Sequence, residues 1–171
     1  MSQRSLALRS LRRNWFPGAR LRRELSMAPD TAGESEIRHR IDELVAAVRA
    51  ADLERVMSIY AQDIVSFDVE PPLRHIGTAA KRKNWARVFS MYQRPLQYEI
   101  RDLAVAVNDD VAFGYGLVRI GGTLKNGNQT ERWLRSTTCF RKIAGHWLIV
   151  HDQVSVPLDV ESGRALLNLN P

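Results

Sequence analysis

Asp68 lies near the end of the short run IVSFDV, beside a loop carrying Pro71 and Pro72. A carboxylate at a strand end is placed for general acid/base work. With Tyr60 and Trp85 near it, loss of hydration would raise its pKa above the ordinary value of about 3.9. The alternative is a carboxylate that caps or hydrogen-bonds the proline-rich loop.

Asp152 and Arg135 form a second candidate. Taking Ala144-Gly145 as the centre of a hairpin turn, Thr137 lies opposite Asp152 and Arg135 opposite Val154. Arg135 and Asp152 are then diagonal neighbours within reach of long side chains. They form either a structural ion pair or an acid/base couple. A buried ion pair adds little stability over an apolar replacement, which argues for a functional reason to keep it.

Other chemistry is sparse. His39, His75, His146 and His151 have no metal-type spacing, and Cys139 is the single cysteine, so neither a zinc site nor a disulfide framework is expected. No nucleophile elbow, phosphate loop or dinucleotide-binding glycine pattern occurs, and no cofactor is expected. His75, just after the proline loop, either covers a pocket mouth or is an exposed loop histidine. His151 adjoins Asp152 on a strand, so the two face opposite sides. Trp147, Ile149, His151, Gln153 and Ser155 share one parity, with Leu148, Val150, Asp152, Val154 and Val156 on the other.

These residues need elements to hold them. From Ser35, Ile37, Ile41, Leu44, Val45 and Val48 recur at helical spacing. Asp52 can cap a second, shorter helix with Val56, Met57 and Tyr60 on its buried stripe. After the strand Ile64 to Val69, Thr78 can cap a third helix reaching Tyr92. Its inner stripe is Trp85, Val88, Phe89 and Tyr92, and Lys81, Arg82, Lys83 and Arg87 fall mainly on a solvated face. Beyond Pro95 the period becomes two. Four strands follow, Leu96 to Val107, Val111 to Gly122, Gln129 to Lys142 and His146 to Val156, joined by short turns as an antiparallel meander. Gly114 and Gly116 inside the second of these predict a bulge or bend. The order is ααβαββββ, an α+β fold with helices on one face of a curved sheet.

The chain has 171 residues, 44% of them apolar and 26% charged, with a formal charge of +6. That charge sits in the leader: residues 1–26 hold seven arginines and one acid, leaving 18 basic and 18 acidic residues from Met27 onward. Nucleic acid is therefore not an expected partner. No apolar run approaches the roughly 18 residues of a membrane span, so no membrane association is expected. Residues 1–33 read as a basic arm, disordered or preceding a true start at Met27. The leader's composition also matches a transit peptide. The expected location is cytoplasmic, or an organelle if the leader is such a peptide. Residues 34–160 form the expected domain and 161–171 a tail.

The element order, with the stretches DLERVMSIYAQDIVSFDVEPPLRHIG and FRKIAGHWLIVHDQVSVP, resembles the SnoaL-like branch of the NTF2-like superfamily over about Glu34 to Asp159. The resemblance implies an NTF2-like cone: a curved sheet wrapped around helices, a cavity on its concave face and a homodimer through its convex face. Laid on a ketosteroid isomerase, the general-base aspartate matches Asp68, while the positions of the two oxyanion donors fall at Leu44 and Thr137. Loss of even one such donor costs about a hundredfold or more, so steroid isomerisation is not expected. The same overlay puts Trp133, Arg135, Thr137 and Cys139 on the concave face with Val150, Asp152 and Val154. Asp68, Arg135 and Asp152 would converge on one cavity walled by Tyr60, Trp85, Trp133, Thr137 and His75. This is similar in kind to an epoxide hydrolase site, although Thr137 stands where its aspartate would be.

The implied function is a small-molecule-binding domain, either a cofactor-independent isomerase, cyclase, dehydratase or hydrolase in which Asp68 moves a proton, or a non-catalytic module. The ligand would be small and apolar or carry a carboxylate.

Overall fold

A computed structural model describes residues 31–171, which form one unit. Of the basic arm expected over residues 1–33, residues 1–30 lie outside the described residues. Helix α1 (Ala32–Arg49) begins two residues before the expected domain boundary, because Thr31 and Glu34 form a reciprocal cap. The Thr31 hydroxyl accepts from the Glu34 amide at 3.2 Å, and the Glu34 carboxylate accepts from the Thr31 amide at 3.1 Å. This satisfies two of the donors left over at a helix start. Ile37, Ile41, Leu44, Ala47 and Val48 form its buried stripe. Asp52 caps the five-residue α2 (Leu53–Met57) through the Arg55 amide at 3.1 Å. Tyr60, expected on that helix, instead opens strand β1 (Tyr60–Phe67), and Asp68 follows the strand's last residue.

After the proline loop, β2 (His75–Ile76) pairs with β1 and runs directly into α3 (Gly77–Met91). Thr78 does not cap this helix. Gly77 has φ of +77°, which lets strand become helix with no intervening cap residue, and Thr78 is already inside the first turn. Four long strands complete the sheet: β3 (Gln97–Asn108), β4 (Val111–Thr123), β5 (Gln129–Ile143) and β6 (His146–Ser155). A small hairpin of β7 (Leu158–Asp159) and β8 (Arg164–Ala165) follows.

The α+β architecture ααβαββββ is thus as expected, with the short β2 and the terminal hairpin added. The sheet order is β2-β1-β6-β5-β4-β3. Every pairing in it is antiparallel except β1 with β6, which is parallel and sets Ser66 beside Asp152. The core lies between α1, α3 and the concave face, with Phe140, Ile37, Ile64 and Ile149 almost fully buried. Each such side chain contributes about 1.5–3 kcal/mol by leaving water.

The bend foreseen from the two glycines is carried by the neighbouring strand. The β3–β4 register shifts between Arg101 and Ala104, and Asp102 adopts φ of +54°. A Cβ at Gly116 would lie 2.8 Å from the Arg101 carbonyl, so only glycine lets β3 bulge against this point. The bulge releases Leu103 from alternation and turns it into the concave side.

Candidate functional site

The site is set by one extra residue in β6. Near the turn, β5 and β6 pair as expected, Ile143 with His146 and Phe140 with Ile149. The next pair is Cys139 with His151, so Val150 has no opposite number and forms a β-bulge. Side-chain parity reverses there. Trp147 and Ile149 point into the core before the bulge, and Asp152 and Val154 line the cavity after it. Asp152 faces Thr138, not Thr137, and Ser155 faces Arg135.

A cavity of about 150 Å³ lies between the concave sheet, α1 and α3. Its walls are mostly apolar, among them Leu44, Trp85, Tyr98, Leu103, Val118 and Phe140. Its polar floor is a single connected cluster. Lys81 Nζ lies 2.7 Å from Asp152 Oδ2, with side chains only 5% and 14% exposed. The same ammonium donates to Ser66 Oγ at 2.8 Å and sits 5.2 Å above the Tyr60 ring and 5.7 Å from the Trp85 ring. Tyr60 donates its hydroxyl proton to Asp152 Oδ2 at 3.1 Å, and Trp85 Nε1 donates to the Tyr60 oxygen at 3.2 Å. Asp152 Oδ1 is buried and accepts no hydrogen bond from the protein.

Removing two charges from water costs several kcal/mol per ion, and the close contact with its added donors offsets that cost without turning it into large net stability. Burial pushes the Tyr60 hydroxyl pKa well up, with the Asp152 carboxylate adding to it. Tyr98 is raised by burial first, then by Asp152 and Asp68. Both phenols are therefore held protonated, as hydrogen-bond donors.

Asp68, Asp152, Tyr60 and Trp85 all line this cavity. Asp68 sits at its edge, half-buried, with no hydrogen bond or ion pair among the described residues. Arg135, Trp133, Thr137 and Cys139 do not join them. All four lie on the convex face, alternating with the inward Phe140 and Thr138, and there Arg135 donates to the Val156 carbonyl at 2.8 Å and Trp133 stacks 4.5 Å from Arg101. In their stead β5 presents Arg132, Leu134, Ser136, Thr138 and Phe140 to the cavity. His75, in β2, is paired with Ser66 of β1 and is not among the cavity's lining residues. His151 lies on the outer face, where its Nδ1 donates to the Val65 carbonyl at 2.7 Å and its ring meets Phe67.

Lys81 is the residue that charge-based reading misplaced. It is buried, not solvated. Its spacing gives the signal: positions 81, 85, 88 and 92 fall on one helical stripe, so Lys81 belongs with Trp85, Val88 and Tyr92. Arg82, one position on, takes the exposed role and pairs with Glu54. From the other end of the chain Leu167 also lines the cavity, its segment tied by the Leu166 amide to the Pro157 carbonyl at 2.9 Å.

Fold and cavity together define a helix-filled cone with a small pocket. Residues 37–159, more than half the chain, match the SnoaL-like domain family, and the chain belongs to that family. It is similar to an NTF2-like protein of unknown function from Pseudomonas putida KT2440, at 33% identity and a TM-score of 0.76, covering 84% of this chain and 100% of that one. A ketosteroid isomerase-like protein from Erwinia carotovora atroseptica SCRI1043 is 22% identical with a TM-score of 0.60, covering 72% and 96% of the two chains. The association domain of CaMKII from C. elegans is 17% identical with a TM-score of 0.60, covering 74% and 98%. The last two likenesses are of fold alone. No curated protein matches the chain. No described helix is long and apolar enough to cross a membrane.

Two outcomes follow from the floor cluster. Lys81→Met strands the Asp152 charge and is expected to lower stability by about 3–5 kcal/mol in urea unfolding, whereas Lys81→Met with Asp152→Leu recovers most of the loss. A double variant no more stable than the single one would refute the charge-stranding account. Because Tyr60 and Tyr98 ionise near 10 when unfolded and higher when folded, their contribution is complete below pH 10 and is lost as pH rises through the folded values. Midpoints measured from pH 8 upward should fall above about pH 10. The fall should be shallower in Tyr60→Phe with Tyr98→Phe.

Proposed function

We propose that this SnoaL-like domain is a cofactor-independent acid/base enzyme acting on a small, largely apolar molecule about one ring in size. The observation that carries this reading is Asp152 Oδ1, a buried acceptor with no protein donor in an otherwise apolar cavity. Such an atom costs about 1–3 kcal/mol when left unsatisfied, a cost that a ligand hydroxyl or amide would remove. A cavity of about 150 Å³ is of the size that holds a benzene ring, which favours a single ring over a fused polycyclic substrate.

Roles divide by environment. Lys81 and Tyr60 hold Asp152 on Oδ2, making it a positioning group that receives a donor from the ligand. Asp68, unpaired and at the cavity edge, is the group free to take a proton from the ligand, release it to solvent or return it at a neighbouring atom. The Tyr98 hydroxyl, held protonated between these carboxylates, donates to oxygen charge that develops meanwhile. Proton abstraction and return need no redox partner, in keeping with an isomerase, dehydratase, cyclase or hydrolase.

The test is a ligand-observed NMR screen of ring-sized compounds, followed by turnover assays on those that bind. Asp68→Asn should retain binding and lower turnover by about a hundredfold or more, while Asp152→Asn should weaken binding itself. A bound compound converted at equal rates by the native chain and Asp68→Asn would overturn the proton role. Binding without conversion in either would leave a non-catalytic ligand-binding module.

A second reading concerns the outer face, where Val111, Phe113 and Tyr115 stand side by side, each about half exposed, opposite Arg141, Cys139 and Thr137 of β5. Its partner is a second copy of this chain, in line with the convex-face contact that the family resemblance implies. The CaMKII association domain shares the fold. Light scattering should give a dimer mass for the native chain and a monomer mass for Phe113→Glu with Tyr115→Glu. A native monomer at high micromolar concentration would end this reading.

A further inference from the structure

The cavity does not end at Asp68. Asp68, Val69 and Val154 also line an open groove of about 610 Å³ on the other side, walled by Phe67, Leu73 and Val156. The groove exists because β1 stops early. Phe67 is its last paired residue, opposite Gln153, so β6 runs on to Ser155 with one edge uncovered. Apolar side chains gather there in spite of solvent: Leu73 is 93% exposed, Val69 44% and Phe67 38%. Arg74 is the one cation among the groove's lining residues, and it has no hydrogen bond or ion pair among the described residues.

We infer that the ligand is two-part: a ring-sized head bearing a hydrogen-bond donor sits in the cavity against Asp152, and an aliphatic arm passes Asp68 into the groove, ending in a carboxylate at Arg74. The inference rests on the cavity reading above and extends it. Continuity supplies the path, since three residues belong to both chambers. Charge fixes the order of groups along the arm. A carboxylate placed beside Asp68 meets a like charge, whereas one carried further meets Arg74. The arm must therefore be long enough to clear Asp68, and its methylenes lie on Val69, Leu73 and Val156. Arg135 lies on the convex face, away from both chambers, and Arg74 is the cation placed to receive the carboxylate.

The experiment measures dissociation constants for para-cresol, for para-hydroxyphenylacetate and its homologues up to the hexanoate, and for the matching amides. Para-cresol should bind through the cavity alone. The acetate should bind more weakly than para-cresol, and Asp68→Asn should remove that penalty. Each further methylene laid on the groove should strengthen binding by up to about fourfold. Arg74→Gln should weaken the longest acid by about two- to fivefold, the size expected for an exposed ion pair, and leave para-cresol and the amides unchanged. If para-cresol binds but affinity does not rise with arm length, or Arg74→Gln leaves the longest acid unaffected, the two-part ligand is wrong and the cavity reading stands. If para-cresol does not bind, the cavity reading falls and this inference falls with it.

Discussion

A lysine and an aspartate 2.7 Å apart, largely withdrawn from water, with the ammonium over two aromatic rings, are the contact on which the arrangement of this molecule turns. Neither ion can be there alone, and each comes from a different half of the fold, Lys81 from α3 and Asp152 from β6. Ser66 on β1 and Tyr60 at its start complete the coordination. α3, β1 and β6 are thereby fixed at one point. An apolar core specifies roughly where elements pack; a satisfied polar cluster in it allows only one registration.

That registration depends on Val150. Without the extra residue, β6 would keep one parity from Trp147 onward and turn the Asp152 carboxylate out to the convex face. The bulge lets one strand serve two needs in succession, core packing by Trp147 and Ile149 and then cavity chemistry by Asp152 and Val154. Gly116 permits the corresponding irregularity on the other side of the sheet, where β3 bulges and Leu103 enters the cavity wall. Both departures from regular pleating lie where the sheet curves around its contents.

The order of elements was legible because periodicity reports it directly: a 3.6-residue apolar stripe in α1 and α3, a period of two from Gln97 on, and turn residues between. The candidate site was legible only in part. Asp68, Asp152, Tyr60 and Trp85 do meet in one cavity. Trp133, Arg135 and Thr137 were set on the wrong face because a bulge leaves no mark in the residues Ile149, Val150 and His151, and extrapolating register from the turn carries the error along the strand. Lys81 was overlooked for the opposite reason. Its position on the helical stripe was plain, but its charge made exposure the easy reading, and only a carboxylate 71 positions away makes burial tolerable. The parallel pairing of β1 with β6 lies beyond short-range patterning altogether, since hairpin turns announce only antiparallel neighbours.

That parallel pairing also governs the order of assembly. Ser66 waits for Asp152, so the strand carrying one wall of the cavity stays without its β6 neighbour until a segment 86 positions further along has been made. Contacts between residues so far apart in sequence are slow to form, and an unpaired strand edge is meanwhile open to other chains. β2, only two residues long, covers part of the opposite edge of β1 early, through Val65 and Ser66. This two-residue strand, absent from the cavity's lining, is positioned to shield a nascent chain during its most exposed interval.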